Sequence, residues 1–114
     1  MKFALIAFNG ELMCFVHVLM NALDMKERGH EVKIVIEGSA TGLVPELVKE
    51  DNPMHATYKK AKDQGLIDGA CMACSNQMGA LQAIKSENIP LLNEMNGHPS
   101  IGRYKEEGCS IITF

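Results

Sequence analysis

Cys71 and Cys74 form a Cys-x-x-Cys pair in the run Leu66-Ile67-Asp68-Gly69-Ala70-Cys71-Met72-Ala73-Cys74-Ser75, where an apolar strand gives way to a helix. A helix start presents unpaired backbone N–H groups and a partial positive charge, both of which favour thiolate over thiol. A thiolate placed there can attack a sulfur electrophile and carry the sulfur as a persulfide, or it can cycle between dithiol and disulfide. Cys74 and Cys71 are therefore the candidate catalytic residues. The same side chains also suit a packing role at the strand-to-helix corner, because free cysteine is among the most buried residue types. Met78 and Leu81 share the face of Cys74 at helical spacing and are expected in the core, which sets Cys74 at the border of the interior.

Metal binding would need further ligands, and Cys14-x-x-His17 is the local pair with suitable chemistry. It lies within a helix, about one turn apart, and its separation from Cys71 matches no common zinc module. No metal is expected. The first strand is followed by Phe8-Asn9-Gly10-Glu11-Leu12, which lacks the repeated glycines of a phosphate loop and places a carboxylate where a phosphate would sit. Flavin and dinucleotide binding are disfavoured, and no cofactor is expected.

The elements that must position these residues alternate between strand-like and helix-like periods, the pattern of an α/β domain. Phe3–Phe8 is continuously apolar, as in a strand covered on both faces. Leu12 to Arg28 carries a helical stripe that Gly29 stops. Glu31–Glu37 reads as a β-branched second strand, Ser39 to Val48 as a short helix, Met54 to Gln64 as a polar helix, and Leu66–Ala70 as a third strand. Met78, Leu81 and Ile84 mark a helix, Ile89–Leu92 a brief strand, Pro99 to Gly108 a last helix and Cys109–Phe114 a last strand. This order predicts one domain over residues 1–114, a flavodoxin-like doubly wound, mainly parallel five-stranded sheet with helices on both faces and strand order 2-1-3-4-5. Ligands in that topology bind at the carboxyl ends of the first and third strands. Asn9, Gly10 and Glu37 would edge that crevice. His98, in Gly97-His98-Pro99-Ser100, would act as acid, base or hydrogen-bond donor, or serve with its neighbours as helix-start punctuation. These four residues are the candidate substrate-binding set.

The 114 residues carry a net charge of −3 in short mixed-sign stretches, with no basic footprint for nucleic acid. No apolar segment approaches the roughly 18 residues that span a bilayer, and the N-terminal run reads as a strand rather than a signal peptide. Four cysteines without a secretory signature fit free thiols in a reducing cytoplasm. The first helix has apolar residues around most of its circumference, so it is either a deep core helix with a few exposed methionines or covered by a second subunit. The latter predicts a homo-oligomer.

Cys71-x-x-Cys74 followed by Gly79, the Glu37-Gly38 step, Gly97-His98-Pro99-Ser100 and the ending Glu107-Gly108-Cys109-Ser110-Ile111-Ile112-Thr113-Phe114 together resemble the DsrE/DsrF-like group of small α/β proteins over nearly the whole length. The resemblance implies a flavodoxin-like fold and assembly into trimers or hexamers. In the sulfur-relay branches it also implies a cysteine after strand three that takes up persulfide sulfur from a donor protein and hands it to an acceptor protein. Cys74 matches that position, with Cys71 as a resolving partner. The second cysteine departs from the single-cysteine relay pattern, which leaves dithiol redox or metal chemistry open, and a non-catalytic binding or assembly protein with structural cysteines is the competing reading.

Overall fold

The computed structural model describes every residue, Met1–Phe114. Its strands are β1 (Lys2–Ala7), β2 (Glu31–Ile36), β3 (Ile67–Cys71), β4 (Leu91–Leu92) and β5 (Ser110–Thr113). The helices are α1 (Leu12–Glu27), α2 (Val44–Leu47), α3 (His55–Asp63), α4 (Met72–Gln77), α5 (Leu81–Ser86) and α6 (Ile101–Glu106), with a 3-10 stretch at Gly38–Leu43 before α2. The expected doubly wound, five-stranded α/β architecture is present, and every strand pair is parallel.

The strand order differs from expectation: it is β4-β3-β2-β1-β5, not 2-1-3-4-5. The apolar runs of β1 and β2 report burial on both faces, but burial does not reveal which strands are neighbours. β2 lies between β1 and β3, in register with β1 from Lys2↔Glu31 to Ala7↔Ile36. The order therefore reverses between β1 and β5 rather than between β1 and β3.

Handedness then distributes the helices. Steps from β1 to β2, β3 and β4 all move the same way across the sheet, and right-handed crossovers put α1 to α5 on one face. The return from β4 to β5 crosses three strands in the opposite sense and puts α6 alone on the other face. Two separate cores follow. One contains 19 buried residues, among them Leu5, Phe15, Leu19, Ile36, Tyr58 and Ile84. The other contains only Ala4, Ile6, Val35, Tyr104 and Cys109.

Within α1, Phe15, Val18, Leu19 and Ala22 recur at i, i+3, i+4 and i+7 and are buried. The opposite side is not covered: Met13 is 76% and Met20 54% exposed. A core-facing helix with a few exposed methionines is the pattern the deep-core alternative describes. Gly29, at φ +91°, ends the helix as its sequence position predicts.

On the thin face α6 is held by polar contacts as much as by hydrocarbon. β3 departs from regular pairing with β2 between Ile67 and Gly69, which leaves Asp68 as an extra residue. Asp68 accepts a hydrogen bond from the buried Tyr104 hydroxyl. Arg103 lies over the Tyr104 ring at 4.2 Å, pairs with Glu94, and reaches Glu107 at 3.0 Å. Lys33 of β2 closes the network on Glu107 at 3.0 Å. Gly69 lets β4 approach β3, since a Cβ there would stand 2.6 Å from Leu92 Cγ and 2.8 Å from the Pro90 carbonyl oxygen. No helix is long and apolar enough to cross a membrane.

Candidate thiol and imidazole site

β3 delivers Cys71 to the carboxyl edge of the sheet, and α4 begins at the next residue. Cys71 is the N-cap of α4, its sulfur accepting from the Cys74 backbone N–H at 3.4 Å. Its side chain is fully buried, whereas Cys74, one turn on, is half-buried. All four cysteines are free thiols.

A tight turn brings the third partner. Met95 and His98 exchange backbone hydrogen bonds of 2.8 and 3.0 Å, and between them Asn96 and Gly97 both have positive φ, 49° and 93°. This is a two-residue turn of the Asn-Gly kind that favours the mirror-image geometry. The Gly97 carbonyl accepts the Ala73 amide at 2.9 Å and the Cys71 thiol at 3.4 Å, which docks the turn onto the start of α4. His98 Nδ1 then lies 3.1 Å from Cys71 Sγ. A side chain at Gly97 would be strained by its φ and would place Cβ 3.1 Å from Ala73 Cβ. The Asn96-Gly97 pair is the sequence signal for this turn, distinct from the helix punctuation of His98-Pro99-Ser100. Ser100 does cap α6, accepting from Arg103 N–H at 3.3 Å.

Cys71, Cys74 and His98 offer ligand atoms that all lie within 4.8 Å of one another. Burial pushes the Cys71 thiol up to about 11, with the negative charges of Cys74 and Glu37 acting in the same direction and the Cys74 amide opposing them. The expectation that the helix start lowers the thiol pKa is thus corrected for the cysteine that sits there. Desolvation outweighs the single amide of a six-residue helix.

Glu37 is buried at the end of β2, and burial raises its carboxyl pKa while the nearby His98 charge draws it down. It lines a recess of about 500 Å³ on the thin face, together with Ile6, Phe8, Met95, Ile101 and Thr113. Three of these apolar side chains are unusually open: Phe8 is 55%, Met95 56% and Ile101 44% exposed. His98 meets Cys71, and the charge of Glu37 acts on both, but of these three only Glu37 lines the recess, and Asn9 and Gly10 do not join it. Asn9 spends its side-chain oxygen on the Glu11 N–H at 2.7 Å, setting the entry to α1, and Gly10 gives room to Ser39, 2.9 Å from where a Cβ would lie.

One other expectation needs correction. Met78 is 46% exposed rather than core, because α4 stops at Gln77 and Gly79, at φ +69°, redirects the chain into α5. Cys14 and His17 stand on α1 and belong to no cluster of three potential ligands.

These elements define a small parallel α/β protein with a thiol pair and an imidazole at the carboxyl edge of its sheet. The chain is similar to "Uncharacterized protein MJ0733" of Methanocaldococcus jannaschii, 34% identical over 97 residues that make up 85% of this chain and 77% of that protein. It belongs to the same family as that protein. An "Uncharacterized protein" of Archaeoglobus fulgidus is 36% identical over 58 residues, 51% of this chain and 93% of that one. No family model matches the chain, and no solved structure matches it significantly.

Proposed function

We propose that this protein is a sulfur carrier of the sulfurtransferase type, in which Cys74 accepts sulfane sulfur and passes it on. The observation that carries the reading is the half-buried Cys74 within 4.8 Å of both the Cys71 sulfur and the His98 ring, at the carboxyl edge of the sheet. The resemblance to DsrE/DsrF-like proteins supports the same assignment. In the first step the Cys74 thiolate attacks the outer sulfur of a donor persulfide, the donor S–S bond breaks, and the donor leaves as a thiolate. An acceptor thiolate then attacks the outer sulfur on Cys74 and restores the Cys74 thiolate.

Cys71 supplies a second exit. Attack of its sulfur on Cys74 Sγ expels the outer sulfur as hydrosulfide and leaves a Cys71–Cys74 disulfide, which a dithiol reductant must reopen. His98 is placed to take the Cys71 proton in this step, since its Nδ1 is 3.1 Å from that sulfur. The open apolar side of α1, with Met13 and Met20, supports a homo-oligomer, and the apolar rim of the recess supports docking of donor and acceptor proteins. A cytoplasmic setting accords with thiols that must stay reduced.

Mass spectrometry after exposure of the reduced protein to a low-molecular-weight persulfide tests the reading. Addition of one sulfur on Cys74, lost in Cys74→Ser and retained in Cys71→Ser, is the expected result. A wild-type protein that takes up no sulfur, or takes it up on Cys14 alone, would reject it.

A further inference from the structure

We propose that Cys71, Cys74 and His98 form a binding site for a zinc-class divalent cation, with the two thiolates and one imidazole as protein ligands and a fourth position open. The inference shares side chains with the sulfur-carrier reading and does not depend on it. Three features of the fold carry it.

The first is the distances. Zn–S bonds of about 2.3 Å and Zn–N bonds of about 2.0 Å in a tetrahedral site require ligand atoms roughly 3.5–3.8 Å apart. Here the three ligand atoms are mutually within 4.8 Å, and the Cys71–His98 edge is 3.1 Å. Closure of the site therefore needs shifts of at most about 1.3 Å, with His98 backing away slightly from Cys71 while Cys74 swings in.

The second is that the ligands come from two rigid sources rather than from one mobile loop. Cys71 and Cys74 are fixed by the end of β3 and the first turn of α4. His98 is fixed by the Asn96-Gly97 turn, which is itself hydrogen-bonded to Ala73 between the two cysteines. A set of donors held this way loses little conformational freedom when the ion enters.

The third is charge and access. Two thiolates and a neutral imidazole leave no net charge around a divalent ion, and Glu37 is near enough for its charge to act on both His98 and Cys71. Cys71 forms the buried floor, while Cys74 and His98 are half-buried, so the open position faces outward. Two sulfurs and one nitrogen with a vacant position are the donor set of an ion that exchanges a ligand, rather than of a closed structural site.

The experiment uses the full, reduced chain and Co²⁺ as a spectroscopic probe, followed by displacement with Zn²⁺. Expected is one Co²⁺ per chain, a thiolate-to-cobalt charge-transfer band, d–d bands of tetrahedral intensity, and loss of both on addition of Zn²⁺. His98→Gln and Cys74→Ser should each weaken binding at least tenfold, while Cys14→Ser leaves it unchanged. Unchanged far-ultraviolet circular dichroism in the variants separates ligand loss from misfolding. Octahedral spectra, the absence of a charge-transfer band, or binding that survives both substitutions would overturn the proposal. Sulfur uptake by the metal-free protein is read separately, so either result can fail without the other.

Discussion

The two faces of the sheet are built on different terms. The face under α1 to α5 has a 19-residue hydrocarbon cluster, whereas the face under α6 has five buried residues and a ring of charges centred on Arg103. The cause is topological. Three crossovers travel one way and one travels back, so one layer is thick and the other is a single helix of six residues. The thin layer cannot close over the carboxyl edge, and the recess beside Glu37 is what remains open. Hydrocarbon burial is concentrated on one side and polar anchoring on the other.

The largest effect should come from the thick face. Phe15→Ala, at a position with no exposed surface, should cost about 3–5 kcal/mol in denaturant unfolding, through lost burial and the cavity left behind. On the thin face the anchor is polar. Tyr104→Phe removes the hydroxyl bonded to Asp68 and should cost about 1.5–3 kcal/mol, with the recess intact. A loss on the thin face equal to that of Phe15→Ala would erase the distinction between the layers.

Gly97→Ala is a test at the seam between them. The positive φ and the Ala73 contact should make it cost roughly 1–3 kcal/mol and displace His98 from Cys71. The expected signature is a modest fall in melting temperature together with altered chemical shifts of the His98 ring, read by NMR.

The smallest effect is in acid. Hydrogen bonding to Arg103 lowers the Glu94 carboxyl pKa, and Lys33 followed by Arg103 lowers that of Glu107. Groups depressed in the folded state add stability above their unfolded value of 4.5, and that stability disappears as pH falls through the lower folded value. Glu37 acts in the opposite sense: its raised carboxyl pKa costs stability as pH climbs from 4.5 to the folded value. Arg103→Met should therefore flatten the acid limb of the stability curve, and Glu37→Gln should remove the opposing slope. Unfolding midpoints measured from pH 3 to 7, roughly the span over which carboxylates titrate in proteins, would reveal both.

Much of this difference was readable from residue order and some was not. The strands, the helix ends at Gly29 and Gly65, and the placing of Cys71 and Cys74 at a strand-to-helix junction follow from periodicity and turn chemistry, which are local. Strand order is not local. The runs Phe3–Phe8 and Val32–Ile36 demand two covered faces, and several orders satisfy that demand. The meeting of His98 with Cys71 spans 27 residues and depends on where β4 lies, so it could be named only as a separate candidate. Asn9 follows the end of β1 by two residues, yet its side chain serves the helix start instead of the recess. The burial of Cys71 reversed an electrostatic expectation, because a short helix start is a weaker influence than removal from water.

The central claim is that the reachable sulfur of the pair is Cys74. Timed alkylation of the reduced, folded protein in a Cys14→Ser background, with the labelled sites mapped by mass spectrometry, addresses it directly. Cys74 should label first, and Cys71 and Cys109, both buried, should label only on unfolding. Labelling of Cys71 at the rate of Cys74, or protection of Cys74 until the chain unfolds, would contradict the account.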